Sequence, residues 1–99
     1  MKKTFKLLSI AFDSSREAEV LEAMKRAGVH NYIKHDKLTG NVSSCRLEDD
    51  HIWPGTFTRY MVEVTVNDYK LLKPLLEELS SRYCEDGFRV LVIPVEEII

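Results

Sequence analysis

The chain has little of what marks several protein classes. Only 2 cysteines occur, Cys45 and Cys84, far apart and without a Cys-x-x-Cys pair. No disulfide framework, zinc knuckle or dithiol redox motif is therefore spelled out, and two reduced thiols are expected. Gly 4 and Pro 3 are too few for a collagen-like or low-complexity chain. Basic residues carry no surplus: Lys plus Arg number 14 against 16 Asp plus Glu, a net charge of -2. A protein that lives on phosphate-backbone contacts normally shows that surplus, so nucleic acid is not an expected partner. No apolar run approaches the roughly 20 residues that span a bilayer, so membrane insertion is not expected. Lys2-Lys3 followed by Leu7 to Phe12 has the outline of a secretory leader. Lys6 interrupts it and the charged Asp13-Ser14-Ser15-Arg16-Glu17 follows, so a cytoplasmic protein is expected instead.

What is present is the balance of one folded domain over residues 1–99, with 44% hydrophobic and 30% charged residues. Thr4 to Phe12 is Phe-, Leu- and Ile-rich and too short for a useful helix, which predicts a strand. Ser14-x-x-Glu17 fits a capping box, so a helix is predicted from there. Its inner stripe is read as Ala18, Val20, Leu21 and Met24, and its end as Gly28. His30 to Lys37 reads as a second strand. Leu38 to Gly55 has neither helical nor strand periodicity and carries Glu48-Asp49-Asp50 and Trp53-Pro54-Gly55, a long loop of 18 residues expected to be flexible.

Thr56 to Val66 alternates, with Tyr60, Val62, Val64 and Val66 on one face and Met61, Glu63 and Thr65 on the other. Asn67-Asp68 then reads as the cap of a helix whose Leu72, Leu75, Leu76, Leu79 and Tyr83 share a face. Pro74 predicts a kink or a later start. Asp86-Gly87 ends that helix, and Phe88 to Val95 reads as a strand buried on both faces. Strand, helix, strand is thus repeated once. The fold class is α+β, a ferredoxin-like βαββαβ domain whose four-stranded antiparallel sheet has two helices on one face. The other sheet face would expose Met61, Leu91 and Ile93, which predicts a closed homo-oligomer.

The closing stretch Asp86-Gly87-Phe88-Arg89-Val90-Leu91-Val92-Ile93-Pro94-Val95-Glu96 resembles the end of the P-II (nitrogen-regulatory) signal-transduction family. Those proteins close with a glycine-containing loop, a basic residue, an apolar strand and a Pro-Val-Glu-like turn. Lys6 to Phe12, Ala27-Gly28-Val29, Gly40 and Tyr60 to Val66 agree with it in order and spacing. The resemblance implies a homotrimer binding adenine nucleotide in its inter-subunit clefts, through the base of a large T-loop and the loop before the last strand. ATP or ADP would be an effector, with no cofactor required. The T-loop would dock on a target protein, a transporter, enzyme or regulator. The family's Gly-Asp-Gly-Lys phosphate loop is here Glu85-Asp86-Gly87-Phe88-Arg89, and residues 38–55 contain no tyrosine to be modified.

For a nucleotide, amides and a cation must face phosphate oxygens, and glycine lets the backbone approach. Gly40, Gly87 and Arg89 are the candidates, against a reading of two ordinary turn glycines and a surface charge. The large loop offers Ser43, Ser44, Arg46, Asp49 and Trp53 to a partner protein. Cys45 and His51 support an alternative, a metal-binding or metal-responsive trimer of the same fold, against a reading of a solvated acidic turn. A Cys45–His51 dyad or a Ser43 nucleophile on an unsupported loop makes a poor pre-organised site, so no enzyme is expected.

Overall fold

The computed structural model describes residues 4–40 and 56–99. β1 (Phe5–Asp13) leads through a 3-10 turn (Ser14–Arg16) into α1 (Glu17–Arg26), and β2 (Ile33–Leu38) follows. After residues 41–55 come β3 (Phe57–Thr65), α2 (Val66–Tyr83), a second 3-10 turn (Cys84–Asp86) and β4 (Arg89–Val95). The strands form one antiparallel sheet in the order β2-β3-β1-β4, the ferredoxin-like arrangement expected from the repeat.

Register sorts the side chains. Leu8 pairs with Val62 and Ile10 with Tyr60, and these residues turn toward a core that also takes Val20, Met24, Leu72, Leu76 and Phe88. Phe12 meets Tyr60 edge-on, with ring centroids 5.2 Å apart. Rings of this size contribute the largest single burials to a small domain, about 1.5–3 kcal/mol each. The opposite face pairs Ser9 with Met61 and Leu91, and Leu7 with Ile93. Ile33 at 65%, Leu91 at 46% and Ile93 at 40% exposure leave this face apolar and open, as the repeat required.

Several local expectations are corrected. The Ser14–Glu17 capping box does not form. Asp13 caps instead, its carboxylate accepting from the Ser15 amide at 3.0 Å. The buried stripe of α1 is Val20, Ala23 and Met24, while Ala18 and Leu21 are exposed. Gly28 does end the helix, at φ +76, with the Val29 amide returning to the Met24 carbonyl at 2.8 Å. α2 is capped by Thr65, which accepts from the Asp68 amide, and it runs unbroken through Pro74. Val66 belongs to this helix and not to the strand before it.

β2 begins at Ile33 rather than His30, and a register shift between His35 and Leu38 puts Lys37 at φ 55. β4 is an edge strand with most of its side chains exposed, not one buried on both faces, and it contains Pro94. A near-continuous apolar run reads the same whether its cover comes from its own chain or from elsewhere. Cys84 is disulfide-bonded, which corrects the expectation of a reduced thiol there.

Candidate functional site

The strand ends that flank residues 41–55 are clamped to the first 3-10 turn. The Ser14 amide donates to the Thr56 carbonyl at 3.0 Å, and the Ser14 and Thr58 hydroxyls meet at 2.9 Å. Thr58, fully buried, donates to the Asp36 carboxylate at 2.9 Å. The Ser14 hydroxyl in turn donates to the Thr56 carbonyl at 3.1 Å, so either hydroxyl can be the donor in the contact between Ser14 and Thr58. Asp36 also accepts from the Lys37 amide at 2.9 Å, chiefly for which its carboxyl is held below its ordinary value. β1, β2 and β3 are thereby tied together at the root of the large loop.

Next to this clamp lies a charged pair around Glu17. Lys34 approaches its carboxylate at 2.8 Å, and the buried Tyr60 hydroxyl donates to the same oxygen. Lys34 first, then Tyr60, holds the Glu17 carboxyl below its usual range. Burial, reinforced by Glu17, pushes the Tyr60 phenol well up. Tyr32 stacks on Tyr60 with centroids 4.4 Å apart. Glu17, Lys34 and Tyr60 thus join α1, β2 and β3 through one carboxylate oxygen.

The other end of the same turn reaches the loop before β4. Arg16 bridges to Asp86 at 3.1 Å, and its guanidinium lies 4.1 Å from the Tyr83 ring centroid. That loop closes on Gly87, left-handed at φ 90, whose amide donates to the Cys84 carbonyl at 3.1 Å. Phe88 then enters the core at 1% exposure.

The expected site residues are only partly drawn together. Gly87 and Arg89 bracket the entry to β4, and the Gly87 amide is engaged inside its turn, so this glycine acts through its conformation. Arg89 lines an open groove of about 490 Å³ between α2 and β4 with Tyr69, Lys73, Glu77 and Ser80, and neither glycine belongs to it. Gly40 is an exposed bend residue with open space where a Cβ would stand. Ser43, Ser44, Arg46, Asp49 and Trp53, and the metal candidates Cys45 and His51, lie outside the described residues. Among the described residues no three His, Cys, Asp or Glu side chains gather into a metal-binding group. Nothing in the sequence singles out Arg16, Asp86 and Thr58 as partners of this site. Their signal was hidden because Ser14 and Glu17 fit a local capping pattern while their partners sit more than forty residues away.

No family model matches the chain, and no curated protein does. Its architecture is nevertheless that of solved PII-like proteins. The nitrogen-regulatory PII-like protein CPII of Thiomonas intermedia K12, bound to ADP, AMP and acetate, superposes with a TM-score of 0.69 at 23% identity, covering 96% of this chain and 90% of that one. The same protein with ADP, AMP and bicarbonate gives 0.69 at 21%, covering 96% and 97%. The Bacillus subtilis GlnK–ATP complex gives 0.68 at 9%, covering 97% and 85%. At these identities the likeness establishes the PII-like fold.

Proposed function

We propose that this chain is a divergent PII-like regulatory protein. It binds adenine nucleotide at clefts between subunits and signals to a target protein through the loop spanning residues 38–55. What carries the reading is a convergence within the PII-like fold. The root of the large loop and the loop before β4 meet on one short turn, Ser14–Arg16, and the similar CPII and GlnK structures hold ADP, AMP or ATP. Gly87 shapes the second loop, Arg16 is bridged to it through Asp86, and Arg89 is the basic residue that opens β4 directly after it. The open apolar face of Ile33, Met61, Leu91 and Ile93 is covered by neighbouring subunits of a homotrimer.

Isothermal titration of the purified protein with ATP, ADP, AMP, cyclic AMP, bicarbonate and divalent metals tests this directly. Saturable binding of an adenine nucleotide to a trimer supports the reading. Silence toward every nucleotide, with tight zinc or copper uptake lost in His51→Ala, replaces it with the metal-responsive alternative.

A further inference from the structure

We infer that Arg16 is a positioning residue for the loop of residues 84–89, and that the turn Ser14–Arg16 couples that loop to the root of the large loop. The proposal deepens the nucleotide reading above and rests on it for its functional meaning, though the coupling itself is a property of the ligand-free chain.

An ion pair as exposed as Arg16–Asp86, with side chains 33% and 27% accessible, is a weak tether by itself. Here the guanidinium is fixed from more than one direction. Asp86 takes one nitrogen, Glu19 lies 3.6 Å from another, and the plane sits over Tyr83 at the end of α2. A planar, always charged group meets all of these at once, which an ammonium cannot. Its Nε is buried with no acceptor among the described residues. Such an orphan donor is costly, and the surrounding contacts hold the side chain there despite it.

The loop is consequently pinned at two points, by Phe88 in the core and by Asp86 on Arg16, with the left-handed Gly87 between them. Two residues before Arg16, Ser14 is bonded to Thr56 and Thr58, and Thr58 to Asp36. A three-residue turn has little room to absorb a displacement at one end without passing it to the other. A shift of the 84–89 loop upon a ligand therefore moves Ser14, and with it both strand ends that carry the large loop.

The test is amide hydrogen exchange on the ligand-free protein, read at Gly87 and Phe88, followed by titration with ADP. Arg16→Gln should speed exchange at both amides by roughly three- to thirtyfold, and Asp86→Asn should do the same. Arg16→Lys, which keeps the charge but loses the plane that meets Asp86, Glu19 and Tyr83 together, should leave exchange at both amides faster than in the wild type. Thr58→Val, on the far side of the turn, should speed exchange at Gly87 in the wild-type background and add nothing in Arg16→Gln. Wild-type protection in Arg16→Gln, or in Arg16→Lys, overturns the positioning role. A Thr58→Val effect that is equal in both backgrounds overturns the coupling. Weaker ADP binding in Arg16→Gln and in Asp86→Asn alike ties the role to the effector. Wild-type protein that binds no ADP overturns the nucleotide reading alone, since the exchange data still decide for or against Arg16.

Discussion

Tyr60 and Glu17 hold one another across forty-three positions of sequence: a fully buried phenol on β3 donates to the carboxylate in the first turn of α1. Lys34, from β2, closes on the same oxygen at 2.8 Å. Three elements meet at that oxygen, one of them the strand leading into the large loop.

Removing the phenol should therefore be felt in stability. Tyr60→Phe keeps the ring packed on Phe12 and Tyr32 but deletes a charge-assisted bond, and should cost about 1.5–3 kcal/mol in urea unfolding. An unchanged midpoint would show that the bond has no net worth.

Glu17 also sets an acid limb. Its folded carboxyl is held below the ordinary 4.5, so its contribution is present above that pH and is lost as pH falls through the lowered value. Asp36, held below 3.8, acts in the same direction over a lower window. Glu17→Gln should flatten the loss of thermal stability below about pH 4.5. Melting curves of both proteins between acid and neutral pH check this. The raised Tyr60 phenol predicts a second decline at alkaline pH, beginning above its ordinary 10.0.

Gly87→Ala places a Cβ on a residue at φ 90 and should cost roughly 1–2 kcal/mol through backbone strain. The loss should appear in melting temperature together with faster exchange of the Phe88 amide. Normal stability with normal exchange would remove the conformational role given to this glycine.

Ile93→Asp puts a charge on the open sheet face opposite Leu7, at a position already 40% exposed in one subunit. The fold should survive, with its circular dichroism retained, while sedimentation of the variant gives single subunits where the proposed homotrimer is expected of the wild type. A variant that remains trimeric would show that this face is not the interface.

Arg89→Ala should weaken ATP binding by roughly ten- to a hundredfold, the effect of losing one charge-assisted contact. Titration calorimetry of the two proteins decides it. Equal affinity would shift attention to Lys73, which shares the groove with Arg89.

Much of the fold was legible because its strongest elements obey local rules. The alternation of Tyr60, Val62 and Val64 and the stripe of Leu72, Leu76 and Leu79 each match one period, and the structure buries those residues. Gly28 stopped its helix for the reason expected of a left-handed residue. Ser14 and Glu17 misled because a capping box is a local pattern, and both side chains found better partners in Thr58 and Tyr60. No periodicity reports on partners forty residues away. For the same reason the bridge from Arg16 to Asp86, seventy positions apart, left no trace in the sequence.

The two edges of the sheet lie on unlike strands, β2 and β4. Any joint from one edge to the other between copies is thus head-to-tail, a geometry that either closes into a ring or runs on into a fibre. Each edge also carries an interruption. The displaced register at Lys37 ends the regular ladder of β2 after His35, and Pro94 removes a donor from β4. A neighbour can add only a few residues of ladder at either side before the pairing fails. Short, interrupted edges of this kind favour a finite assembly over an endless one.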